Sequence, residues 1–181
     1  MVIVSATRRI HNLALVGFMG SGKSTVGHLV AGRLGFQFVD TDKLIESQAH
    51  KSIAEIFAQD GESVFREHER QVVTGLASLT KTVISTGGGL VANAENLASL
   101  KQHALVVCLW ATADTIWERV HHQSHRPLLR VPNPREKIRQ LLLEREPFYA
   151  QADVMIRTDD RPIREVVQHV LQQFHLACAE P

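Results

Sequence analysis

Gly17-Phe18-Met19-Gly20-Ser21-Gly22-Lys23-Ser24-Thr25 has the spacing of a phosphate-binding loop: one glycine, four residues, then Gly-Lys-Ser. Its composition suits polyphosphate. Bare glycines let successive N–H groups turn inward around the phosphates, and the helix that follows adds its positive end. Lys23 is placed to reach the β- and γ-phosphates, and the Ser24 hydroxyl to ligate Mg²⁺. The competing reading, a glycine turn at a helix start, does not call for the lysine. Three other stretches carry chemistry-bearing residues. Asp40-Thr41-Asp42 offers two carboxylates, Thr86-Gly87-Gly88-Gly89 a bare backbone, and Arg66, Arg119, Arg126 and Arg145 planar cations suited to carboxylate or phosphate.

Strands and helices must position these groups. Leu13–Val16 is a short apolar run, and Val26, Leu29, Val30 and Leu34 recur at helical spacing, so the loop joins a strand (about 12–16) to a helix (about 23–34). Phe36–Val39 reads as a second strand, placing Asp40 and Asp42 at its carboxyl end, where ligands bind in open α/β sheets. Asp42 could instead simply cap the next helix, about 42–49. Ser52 and Glu55 form a capping box for a short helix to about 59, and a charged helix spans about 62–78. The block at 42–78 is longer than a crossover needs and suits a substrate site.

Thr82–Ser85 is a third strand running into the glycines. A tight turn explains one or two glycines; three favour close approach of a ligand. A short helix follows over about 93–99, then an all-apolar strand at Ala104–Leu109, as in a parallel sheet buried on both faces. After a helix ending near Val120, residues 121–134 lack periodicity and read as a lid carrying Arg126 and Arg130. His121, His122 and His125 lie there without a cysteine or carboxylate at ligand spacing, which disfavours a metal centre. A helix over about 135–150 should end or kink at Pro147. A fifth strand at Val154–Ile156 and an amphipathic helix from Pro162, fraying beyond about 176, complete the chain. Five strands alternating with helices predict one α/β domain over 1–181, a parallel sheet covered on both faces, with residues 1–11 a leader or edge segment.

Composition narrows the function. Twenty basic against nineteen acidic residues leave a charge of +1 with no polybasic block, so neither nucleic acid nor an anionic membrane is an expected partner. The 44% apolar content argues against disorder over the whole length. Two cysteines without framework spacing and no membrane-length apolar run point to the cytoplasm.

In order and spacing, these motifs together resemble the shikimate kinases over about 11–174. The matching pieces are the phosphate loop through Gly27, Phe38-Val39-Asp40-Thr41-Asp42 with Ile45-Glu46, Ile53–Phe57, Phe65-Arg66-Glu67-x-Glu69, Ser85–Gly89, Arg126-Pro127-Leu128-Leu129 and Glu144-Arg145-Glu146-Pro147-x-Tyr149. The resemblance implies a three-layer α/β/α P-loop kinase fold with strand order 2-3-1-4-5. It implies transfer of the ATP γ-phosphoryl to the 3-hydroxyl of shikimate, a step toward chorismate and the aromatic amino acids, by a monomer. Implied catalytic residues are Asp42, Lys23 and Arg126. Gly20, Ser21, Gly22, Lys23, Ser24, Thr25, Arg119 and Arg126 would bind ATP, with Arg119 packing on adenine. Ser24 and Asp40 would serve Mg²⁺. Asp42, Phe57, Arg66, Gly87, Gly88, Gly89 and Arg145 would bind shikimate, the two arginines holding its carboxylate. Glu69, about one turn beyond Arg66, is expected to pair with it or with another basic group, fixing the arginine fork, or else to face solvent. A gluconate kinase-like enzyme, a regulatory nucleotide-binding protein without turnover, and a nucleic-acid ATPase are the rival readings.

Overall fold

A computed structural model of the chain describes residues 8–122 and 131–179. Five strands, β1 (Asn12–Val16), β2 (Gln37–Asp40), β3 (Thr82–Ser85), β4 (Ala104–Trp110) and β5 (Val154–Arg157), form one sheet in the order β2-β3-β1-β4-β5. Every pairing is parallel. The helices are α1 (Lys23–Leu34), α2 (Thr41–Ala49), α3 (Ile53–Glu55), α4 (Glu62–Leu76), α5 (Ala94–His103), α6 (Ala113–Val120), α7 (Pro134–Tyr149) and α8 (Ile163–Ala179).

The period of the strands divides the core into two layers. Leu13 and Leu15 of β1, with Leu105, Val107 and Leu109 of β4, face α1 and α8 through Val26, Val30, Val166, Val170 and Phe174. Ala14 and Val16, with Val106 and Cys108, face the opposite layer, where α4, α5 and α7 contribute Val72, Val73, Leu97, Leu100, Ile138 and Leu142. Burial pushes the Cys108 thiol up to about 12, so it behaves as a small apolar side chain.

Several boundaries differ from the sequence reading. β2 extends one residue further, and the cap of α2 is Asp40 rather than Asp42: its Oδ1 accepts from the Asp42 and Lys43 N–H groups at 3.1 and 3.5 Å. Asp42 thus lies in the first turn of the helix, with its side chain released from capping. The expected helix at 52–59 keeps its capping box but becomes a π-turn over Ile56–Asp60, closed by Gly61 N–H on the Ile56 carbonyl at 2.9 Å. α5 runs to His103 rather than stopping near 99, because Leu100 is fully buried in the second layer. Pro147 neither ends nor breaks α7, which continues to Tyr149. Its missing N–H would have served the carbonyl of Leu143, a residue 70% exposed, so the lost donor lies on the solvent side of the helix, where it costs least. α8 runs to Ala179, because Ala177 remains packed beyond the expected fraying point.

At the amino end of the sheet, Asn12 ties three segments. Its Nδ2 donates to the Leu79 carbonyl at 2.6 Å and lies 2.9 Å from His103 Nδ1, while its Oδ1 accepts from Thr82 N–H at 3.0 Å. Arg8 donates to both oxygens of Asp153 at 2.8 and 2.7 Å, so the chain before β1 is tied to the β5 side of the sheet. No helix among the described residues is long and apolar enough to cross a membrane.

Candidate active site

The carboxyl ends of β1, β2 and β3 converge on a cavity of about 510 Å³. The phosphate loop forms one wall. Gly17, Gly20 and Gly22 have φ of 136°, 74° and 100°, backbone that L side chains rarely adopt, which is the local reason for glycine there. Lys23 is buried and lies across its own loop, Nζ donating to the Gly17 and Phe18 carbonyls at 2.9 Å each. Ser21 Oγ is buried without a hydrogen-bond partner, a polar atom left for a ligand. Gly20, Ser21, Gly22, Lys23, Ser24 and Thr25 all line the cavity.

Ser24 and Asp40 meet at the floor, where Ser24 Oγ donates to Asp40 Oδ2 at 3.1 Å and lies 3.3 Å from Ser85 Oγ. Hydroxyl and carboxylate oxygens are the donor set of a hard divalent cation, so this pair fits Mg²⁺. Among the described residues no three potential ligands cluster, and His121 Nδ1 lies 3.1 Å from the Trp117 carbonyl. Arg119 lines the cavity with its guanidinium donating to Thr158 Oγ1 at 3.0 Å, the Thr158 carbonyl at 2.8 Å and the Gly20 carbonyl at 3.3 Å.

The glycine run forms the opposite wall. Thr86 anchors it, its N–H and hydroxyl both donating to the Leu15 carbonyl, and Gly87 N–H donates to Thr41 Oγ1 at 2.9 Å. Each glycine then faces a different side chain. A β-carbon at Gly87 would lie 2.5 Å from Asp42 Oδ1, one at Gly88 3.6 Å from Arg145 Nη1, and one at Gly89 2.9 Å from Arg66 Nη1. The absent side chains let these three groups close on one strip of backbone.

Asp42 is half-buried as a residue, but its Oδ1 is enclosed and has no hydrogen-bond partner. Burial first, then the neighbouring Asp40 charge, pushes its carboxyl up to about 6, with Lys23 pulling the other way. Such a carboxylate is poised to take a proton near neutral pH. Arg66 donates to Glu69 Oε2 at 2.6 Å and to Glu62 Oε1 at 2.8 Å. Glu69 is buried, so the pairing alternative holds and the solvent-facing one does not. Burial raises the Glu69 carboxyl above its ordinary range, with Arg66 and Arg145 opposing the shift. Both guanidinium groups rest on aromatic faces: Arg66 over Phe65 at 5.3 Å, and Arg145 over Phe18 of the phosphate loop at 5.4 Å.

Phe57 is 40% exposed and packs on Phe65 at 4.7 Å between centroids, the same ring that Arg66 covers. Neither it nor Arg66 nor Arg145 lines the nucleotide-side cavity; Asp42 and Gly88 join the two halves. Arg126, Arg130 and His125, with most of the expected lid, lie outside the described residues. Sequence reasoning missed Thr41, which pins the glycine run, and Thr158 and Arg161, which line the cavity just beyond β5. The rule that ligands sit at carboxyl ends of strands pointed to residues 158–161 as much as to Asp40.

A family profile described as shikimate kinase matches residues 19–175. A shikimate kinase of Thermoanaerobacter pseudethanolicus is 45% identical over 163 residues, covering 90% of this chain and 95% of the relative. A shikimate kinase of Deinococcus radiodurans is 46% identical over 162 residues, covering 90% of this chain and 82% of the relative. Among solved structures, a shikimate kinase from Acinetobacter baumannii in complex with shikimate superposes with a TM-score of 0.87 at 38% identity, covering 94% of this chain and 96% of that one. With the phosphate loop, the paired aspartates and the glycine run already in place, this likeness means that the chain belongs to the shikimate kinase family.

Proposed function

We propose that this protein transfers the γ-phosphoryl of ATP to the 3-hydroxyl of shikimate, giving shikimate 3-phosphate and ADP, as a cytoplasmic monomer in aromatic biosynthesis. The observation that carries the reading is the glycine run, with Gly87, Gly88 and Gly89 facing Asp42, Arg145 and Arg66 in turn. Two guanidinium groups beside one carboxylate base suit a small anionic alcohol, its carboxylate held by the arginines and a hydroxyl turned to Asp42. Gluconate is also an anionic polyol, so the acceptor assay below carries the distinction.

The chain's own residues divide the work. The phosphate-loop N–H groups and Lys23 bind the triphosphate, Lys23 exchanging its Gly17 and Phe18 carbonyls for phosphate oxygens. Ser24 and Asp40 would hold Mg²⁺, which supplies charge neutralisation of the phosphoryl oxygens when bound. Arg119, fixed by Thr158, borders the nucleotide cavity for contact with the base. Arg66, steadied by Glu69 and Glu62, and Arg145 orient the acceptor, with Phe57 at the pocket margin. Asp42 aligns the hydroxyl and its carboxylate accepts the proton as the new O–P bond forms and the bond to the ADP oxygen breaks. The transition state is loose, so a carboxyl near 6 is basic enough. Arg126 is assigned to the phosphates in the closed state.

ADP release measured with shikimate, gluconate, nucleoside monophosphates or no acceptor tests this reading. ADP release dependent on shikimate alone is expected; release without an acceptor, or with gluconate instead, overturns it. Arg66→Ala should raise the KM for shikimate by about 10²-fold while ATP binding survives. Loss of ATP binding with intact shikimate binding would reverse the assignment of the two halves.

A further inference from the structure

Tyr149 is the chain's single tyrosine and is 1% exposed, within the apolar layer under α7. Phenylalanine would fill that space equally well, so the hydroxyl needs its own explanation. It donates to the Gly88 carbonyl at 2.6 Å. Arg145 lies four residues earlier on α7, one turn away on the same side of the helix. The site of a Gly88 β-carbon is 3.6 Å from Arg145 Nη1 and 3.4 Å from Met19 N, so this carbonyl belongs to the segment lying between Arg145 and the phosphate loop.

We infer that the Tyr149 hydroxyl is a positioning group for the acceptor: by holding the Gly88 carbonyl it fixes the strip of backbone against which the Arg145 guanidinium stands, and so the orientation in which Arg145 meets the substrate carboxylate. The inference deepens the function proposed above and rests on its assignment of Arg145. It separates Tyr149 from residues that merely fill the core, because only the phenolic oxygen carries the effect. Burial pushes the phenol above its ordinary range, which keeps it protonated and donating at any working pH.

Tyr149→Phe tests the inference. The KM for shikimate should rise about tenfold, the loss of one buried hydrogen bond, with the KM for ATP changed less than about twofold. Unchanged constants with a lowered melting temperature, or equal rises for both substrates, would make the hydroxyl a structural pin and overturn the inference. In an Arg145→Ala background the same change should add less than about twofold, because the two groups act as one unit; full additivity overturns it as well. Arg145→Ala alone tests the underlying reading: an unchanged KM for shikimate there sinks the assignment of Arg145, whatever Tyr149→Phe does. An approach free of substitution uses 3-fluorotyrosine, which labels only this position. Its single fluorine resonance should move on saturation with shikimate and stay put with an acceptor analogue lacking the carboxylate. No movement with shikimate, or equal movement with both, counts against the inference.

Discussion

Asp42 and Asp153 are enclosed carboxylates at opposite ends of the same sheet, and their surroundings act on them in opposite senses. Asp153 is 3% exposed. Burial pushes its carboxyl upward, but Arg8, the Val106 N–H at 2.8 Å and Lys101 at 3.2 Å more than offset this and hold it below its ordinary range. Asp42 has burial and Asp40 raising it together, no hydrogen bond to Oδ1, and a cavity in front. One end of the sheet compensates its charge and gains rigidity. The other leaves a charge uncompensated, which costs stability and, in the function proposed, supplies the base.

The contrast has a pH signature. Asp153 titrates lower in the folded chain than its free value of 3.8, so its stabilisation is complete above that value and is lost as pH falls through the lowered one. Asp42 titrates higher, so its burial is harmless below 3.8, and the penalty grows as pH rises to about 6 and is full beyond.

The largest effect expected from breaking this contrast is kinetic. Asp42→Asn should lower kcat by about 10²–10⁴-fold and remove an acid limb near pH 6 from the pH profile of kcat/KM. The same variant should be more stable than the parent at pH 8, by about 1–2 kcal/mol after allowing for the part of the side chain open to solvent, and no more stable at pH 4. Urea unfolding at the two pH values reads this directly; an equal change at both would mean that the buried charge is not the cause. Asp153→Ala should do the reverse. It should cost about 3–5 kcal/mol at pH 7, because Arg8 and Lys101 are left without their carboxylate, and leave both KM values unchanged. A Gly32→Ala variant sets the smallest scale: Gly32 lies on the exposed side of α1 with open space where a β-carbon would stand, so about 0.5–1 kcal/mol of added stability is expected, with unchanged kinetics.

These two ends were unequally legible before the fold was known. The phosphate loop, Asp40, Asp42 and the triple glycine announce themselves through residue type and local spacing, and the alternation of apolar runs gave the α/β class. Family resemblance supplied the strand order. The Arg8–Asp153 clamp and the Asn12 node had no local signal, since their partners are distant in sequence and ordinary in type. Capping by Asp42 stood as the alternative to a functional role, and the cap belongs to Asp40, because one residue of strand length decides which aspartate is released toward the cavity. Pro147 misled because its effect depends on what the Leu143 carbonyl faces, a tertiary fact. Tyr149 stood within a quoted motif, yet its purpose emerges only when α7 lies against the glycine run.

The strand order has one more consequence, for synthesis. β1 is paired on both sides, with β3 and β4, and β4 begins only at Ala104. At roughly 5–20 residues per second, a ribosome delivers that second partner on the order of ten seconds after Val16 has been made. For most of that interval Leu13–Val16, wholly apolar and destined for complete burial, has no partner strand, and after β3 is made it has only one. The strand that bears the phosphate loop thus stays an open, apolar edge of the nascent chain until β4 arrives, an edge prone to pair with another chain.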